Sequence, residues 1–227
     1  IYSSKFDVYP KRSPIGIYDK NILCQECEKQ FDAFDDYAAK ILLQGELKRE
    51  AIDDEEWNLG YFIHEVDYRR FKMFCITVLW RAAISTNQFF NYIRLGKHFS
   101  QLVEMVKNLD PGPPEDFSVT ICEELFPDNK VVMIKGYATR LFNGLRFYAI
   151  PMGRFILSIK VDQQNIDDIN NNLILKPNAP LSVIKMHMKG SKHENIIREI
   201  LQLEKKYQKS SCPGDRKKTI RVENDTR

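Results

Sequence analysis

The stretch Asp110-Pro111-Gly112-Pro113-Pro114 constrains this chain more than any other feature. Proline lacks a backbone donor and its ring clashes with the preceding turn, so neither a helix nor a central strand continues through such a run. The hydrophobic period differs on its two sides. Before it, Phe31, Phe34, Ala38, Ile41 and Leu42 recur at helical spacing and predict a helix from Cys24 to Gln44, stopped by Gly45. Asp67 is placed to cap a second helix to Ile84, apolar on nearly every side and therefore central. Ser85 and Gln88 form a capping box that predicts a helix to Leu95. Phe99, Leu102, Val103 and Val106 predict another, ending near Leu109. The acidic run Asp53-Asp54-Glu55-Glu56 reads as a solvated loop.

After the prolines the period is two. Segments 117–121, 131–137, 145–150, 155–161 and 181–186 are rich in β-branched and aromatic residues and read as strands, with Asn143-Gly144 and Met152-Gly153 favouring antiparallel hairpins. Residues 163–178 are polar and Asn-rich, a loop. Ser191 and Glu194 make a further capping box for a closing amphipathic helix through Ile196, Ile197, Ile200, Leu201 and Tyr207. The expected class is α+β. A helical layer (1–110) packs on an antiparallel sheet of four or five strands with a closing helix (111–208), folded as one domain, and a mobile basic tail follows (209–227).

Hydrophobic residues at 43% and charged residues at 29% are ordinary for a packed globular fold. The longest apolar stretch, Phe71 to Ile84, holds Lys72 and Arg81 and is too short for a bilayer span, so no membrane association is expected. The opening Ile1-Tyr2-Ser3-Ser4-Lys5 lacks the pattern of a secretory signal, and cytoplasm is the expected compartment. Five cysteines, an odd number, argue for reduced thiols, with Cys75 and Cys122 as core residues. The net charge of +3 comes from residues 205–227, which hold eight Lys or Arg against three Asp or Glu and leave about −2 on the rest. No Walker loop, dinucleotide fingerprint, Gly-x-Ser-x-Gly or His-Glu-x-x-His occurs.

Cys24-Gln25-Glu26-Cys27 is the one motif that carries chemistry. Two thiols one turn apart at a helix start suit half of a tetrahedral zinc site with Cys24 and Cys27 as ligands. No second Cys-x-x-Cys and no closely spaced His pair supplies the other half. A redox pair and two unrelated thiols are the other readings of the same spacing.

The run from Lys11 to Glu28, in which a Gly-containing turn leads to Ile22-Leu23, the Cys-x-x-Cys and a helix, resembles the second half of HNH-endonuclease-like bacterial proteins with a zinc knuckle. The segment Phe74-Cys75-Ile76-Thr77-Val78-Leu79-Trp80-Arg81-Ala82-Ala83 is similar to part of uncharacterised bacterial proteins carrying such a knuckle. The resemblance implies a zinc-stabilised, nucleic-acid-associated protein, a defence or mobile-element nuclease or its degenerate relative. In that family a first knuckle and the catalytic His precede the second knuckle. Here they would lie before Ile1, and Glu28 stands where many members have Asn. Whether the chain is an enzyme is therefore left undecided, with a non-catalytic protein-interaction module as the alternative.

Other candidates have plainer readings. Asp32 and Asp36 share a helix face and offer two oxygens to a hard cation, or simply complement the helix dipole. His64, Glu65 and Asp67 form an acid/base cluster or a cap. Arg81 inside an apolar helix needs a partner, with Asp35, Asp36 and Asp67 as candidates. Lys11, Arg12, Arg216, Lys217, Lys218 and Arg221 are the candidate phosphate contacts to DNA or RNA, in segments without interleaved aromatics for base stacking.

Overall fold

The computed structural model of the chain describes residues 19, 22–53, 58–125, 136–167 and 170–187. The predicted closing helix, the basic tail, Lys11 and Arg12, and the predicted strand segment 131–135 lie outside the described residues.

Helix α1 (Gln25–Ala39) starts at Cys24 and buries Phe31 and Ala38. Its end widens into one π turn (Lys40–Gln44) and stops at Gly45, whose φ of 69° is the left-handed cap that glycine adopts at low cost. Arg49 donates to the carbonyls of Ile41 and Leu42 at 3.0 and 3.2 Å, placing a cation on the negative end of this helix.

Strands β1 (Arg49–Asp53) and β2 (Asn58–Ile63) follow, and helix α2 spans Tyr68–Ile84. The Asp67 carboxylate accepts from the Arg70 amide at 3.0 Å and so caps α2 as the sequence predicts. Phe71, Cys75, Ile76 and Leu79 are fully buried on this central helix. Lys72 is buried too: its ammonium donates to the Tyr68 hydroxyl at 3.0 Å and to the Pro113 carbonyl, and burial pushes its pKa down to about 8. The Tyr68 hydroxyl donates to the Gly112 carbonyl at 2.7 Å, and Arg69 donates to the Leu109 carbonyl at 2.8 Å. The proline corner is thereby tied to the first turns of α2, and the carbonyls it cannot pair in a helix or sheet are satisfied.

The predicted helix from Ser85 to Leu95 does not form. Ser85 ends α2; its hydroxyl donates to Asp19 at 2.8 Å and its oxygen accepts from the Asn87 amide at 3.1 Å, two residues on rather than the three a capping box needs. Asn87 caps only a short 3₁₀ turn (Gln88–Phe90), and a second 3₁₀ turn (Gly96–His98) leads into α3 (Phe99–Asn108). Leu109 then closes α3 in the left-handed conformation, φ 49°.

The remaining strands are β3 (Val119–Leu125), β4 (Tyr137–Leu141), β5 (Leu145–Met152), β6 (Phe155–Lys160) and β7 (Leu181–His187). They join β1 and β2 in a seven-stranded sheet of order β1-β2-β7-β3-β6-β5-β4. This corrects the expected antiparallel sheet of four or five strands. β3 and β7 pair in parallel while the other neighbours are antiparallel, so the sheet is mixed. The two additional strands flank the acidic run that reads as loop in the sequence. β2 pairs with β7 at Tyr61↔Val183 and Ile63↔Leu181, so the segment before the prolines is part of the same sheet as the segment after them. Ile121, Val183, Leu157 and Ile150 face the helices and form one core with Phe31, Phe71, Leu79 and Leu102. Among the described residues no helix is long and apolar enough to cross a membrane.

Candidate binding groove and thiol pair

Helices α1 and α2 pack side by side, and α2 meets β6 of the sheet. At the end where β5 turns into β6 they do not close on it. The result is an open groove of about 1120 Å³ whose walls are α1, α2 and the residues from Ile150 to Phe155. Phe31, Ala38, Leu42, Phe74, Val78, Phe89 and Met152 give it an apolar lining. Leu43 stands on its margin and is 71% exposed, the most solvent-accessible large apolar side chain among the described residues. Leu42 beside it is buried, because successive positions on a helix point in different directions.

A charged clamp closes one side of the groove. Arg81 reaches across from α2 and pairs with Asp35 of α1 through two parallel bonds, Nη1 to Oδ2 and Nη2 to Oδ1, each 2.7 Å. Its Nε donates to the Thr77 carbonyl at 3.2 Å, and the guanidinium lies 6.0 Å from the Phe31 ring centroid. Fork-to-carboxylate pairing of this kind fixes geometry as well as charge. Of the three carboxylates the sequence offers Arg81, Asp35 is the partner. Asp67 serves as the cap of α2, and Asp36 is exposed on α1. The described lining holds neither His nor Cys, and its one hydroxyl, on Ser85, donates to Asp19.

The Cys-x-x-Cys sits just outside this lining, at the start of α1. Cys24 is the N-cap, in extended backbone (φ −83°, ψ 165°), and is exposed. Cys27 is three residues on, half-buried, and packs against the core. The Cys24 thiol is held below its ordinary range, first by the dipole of the Cys27 amide and second by the Cys27 thiol; the sulfur does not close a formed cap bond to that amide. The Cys27 thiol is raised, chiefly because it donates to Cys24 and then because it is partly desolvated. The other described cysteines differ sharply. Cys75 is fully buried with its thiol raised by desolvation, and burial pushes Cys122 up to about 11.

These two thiols fit half of a zinc set, since the site favours thiolate at Cys24 and places a second sulfur one turn away. Among the described residues no group of three or more His, Cys, Asp or Glu side chains gathers where a metal could sit. His64, the histidine nearest in sequence to the thiol pair, instead meets Glu50 across the β1–β2 pair, Nε2 to Oε2 at 2.8 Å. The six Lys and Arg residues predicted to touch phosphates lie outside the described residues.

Sequence reasoning missed the groove, and it also missed the carboxyl of Glu124. That side chain is buried on β3, and desolvation pushes its pKa up to about 7. The only trace of it in the sequence is a pair of adjacent glutamates running on from an apolar strand. Neither a family model, nor a curated protein, nor a solved structure matches this chain.

Proposed function

We propose that this chain is a non-catalytic protein-interaction module whose groove between α1, α2 and the β5–β6 turn receives an apolar segment of a partner protein. The observation that carries this reading is the groove itself, about 1120 Å³, open to solvent and lined by aliphatic and aromatic side chains around a locked ion pair. Apolar surface of that extent is usually associated with recognition, because burying it gains roughly 25 cal/mol per Å². The Arg81–Asp35 clamp fixes α1 against α2 in a preformed shape, which lowers the ordering cost of binding. Panning a random peptide library against the folded protein tests it. The expected result is enrichment of peptides with two or more bulky apolar residues whose binding falls at least about tenfold on Leu43→Asp, an exposed position where a charge leaves the fold intact. Enrichment that is indifferent to Leu43→Asp, or no enrichment at all, defeats the reading.

A second reading rests on the thiol pair: a zinc-bearing, nucleic-acid-associated protein, as the resemblance implies. Cys24 at the N-cap with a favoured thiolate, and Cys27 one turn on, support it. When bound, zinc would supply structural cross-linking here, with Cys24 and Cys27 as two of its ligands. The expected result is stoichiometric zinc by elemental analysis, lost in Cys24→Ser. DNA or RNA binding would then be weak, to phosphates and steeply salt-dependent, and would drop equally for unrelated sequences when residues 209–227 are deleted. Metal-free folded protein that ignores nucleic acid at low salt counts against both halves of this reading.

A further inference from the structure

Neither reading above uses the difference between the two thiols. Cys24 is exposed at the N-cap and Cys27 is half-buried at the third helical position. N-cap and N3 are the two positions at a helix start whose side chains converge. A nucleophile that solvent reaches therefore stands beside a second sulfur that solvent reaches less well. We propose that Cys24 and Cys27 form a dithiol exchange site, in which Cys24 attacks small-molecule disulfides and Cys27 resolves the adduct.

The chemistry balances without a metal or a cofactor. The Cys24 thiolate attacks one sulfur of the disulfide RSSR, forming a mixed disulfide and expelling RS⁻. Cys27 then gives up its proton to solvent and attacks Cys24 Sγ, the intramolecular disulfide forms, and the second RS⁻ leaves. The two cysteines are oxidised, and RSSR is reduced to two thiols. The local environment suits each role. Cys24, exposed at the N-cap, is the sulfur an incoming disulfide meets first, and half-buried Cys27 stands one turn on, where its side chain converges on the adduct. Cys75, enclosed in the core, and Cys122, largely buried, are shielded from the same reagent. An intramolecular disulfide at the N-cap would tie the entry of α1 to its first turn, beside the groove wall formed by Gln25, Glu28 and Lys29.

The test uses the full chain with Cys212→Ser, treated at neutral pH with oxidised glutathione and quenched with acid at intervals. Peptide mass mapping follows each thiol. The expected result is loss of two hydrogens within the peptide holding Cys24 and Cys27, with Cys75 and Cys122 unchanged. Cys27→Ser is expected to stop at a glutathione adduct on Cys24, and Cys24→Ser to react slower overall by about threefold or more. Oxidation should also abolish labelling of Cys24 by an alkylating reagent, and dithiothreitol should restore it. Three results overturn the proposal: a Cys24 that reacts no faster than free cysteine, a wild type that stays at the mixed disulfide, or protein that carries bound zinc and resists the reagent. The last would leave the zinc reading standing while removing this one, and peptide binding at Leu43 is independent of both.

Discussion

Gly60→Ala is expected to lower stability by about 3 kcal/mol, more than any single exposed substitution in this fold. Gly60 sits in β2 directly opposite Ile184 of β7. A Cβ added there would meet the backbone carbonyl oxygen of Val183, with the Ile184 Cα only 3.2 Å away. The obstacle is main chain in a paired strand, so no side-chain rotation relieves it. The strands must separate locally, and the cost includes ladder bonds of the pairing that, among the described residues, holds β1 and β2 to the rest of the sheet. Leu59→Ala, one residue earlier and 46% exposed, is the control and should cost under about 1 kcal/mol. Urea unfolding curves for the two variants check this, read with hydrogen exchange of the β7 amides. A Gly60→Ala protein within about 0.5 kcal/mol of the wild type would show that β2 does not approach β7 as closely as described.

The second large effect is a dependence on pH set by Glu124. Burial pushes its carboxyl up to about 7, against 4.5 for the ordinary group, and its charge adds to the rise that burial first gives Cys122 and Tyr137. The native protein keeps this proton up to about pH 7, whereas the unfolded chain releases it near 4.5. Native protein therefore binds more protons across that window, and stability falls as pH rises through it, then levels off above. Glu124→Gln removes the proton without changing shape. Relative to that variant the wild type is expected to lose about 2 kcal/mol between pH 5 and pH 8, a difference in which all other carboxyls cancel. Thermal melts of both proteins at the two pH values measure it. Parallel profiles would mean that Glu124 ionises normally and that its surroundings are wetter than described.

Which parts of the fold were readable follows from where their determinants lie. The ends of α1 and α2 are set by Gly45 and Asp67, one residue each, acting on adjacent backbone. β3, β5, β6 and β7 carry β-branched and aromatic runs long enough to declare themselves. β2 was obscured by its neighbours: Asp53 to Glu56 dominate the window, although Leu59, Tyr61 and Ile63 alternate as a strand should. The Ser85–Gln88 box failed because the serine oxygen takes the Asn87 amide, two residues on, while Asp19 receives its hydroxyl. Parallel pairing of β3 with β7 depends on how residues 161–180 cross the sheet, which no local pattern records. Arg81 announced that it needed a carboxylate, but only the packing of α1 on α2 selects Asp35. The groove is assembled from three separate elements and had no local signature. The Cys-x-x-Cys was the opposite case, with spacing plain in the sequence and the unequal exposure of its two sulfurs visible only in the structure.

The position of β7 has a consequence for how the chain is made. Its strand partners are β2 on one side and β3 on the other, and more than half the chain separates Gly60 from Ile184. On a ribosome, β1 and β2 emerge early as an isolated hairpin, marginal in water by itself. They must wait, edge exposed, until β7 has cleared the exit tunnel. Closing a loop of that length before any contact repays it makes assembly slow, so the finished sheet forms in a late step that depends on synthesis reaching β7. Truncation anywhere before Leu181 leaves β2 and β3 each without the neighbour between them, and such fragments are expected to appear as aggregates in translation-arrest experiments.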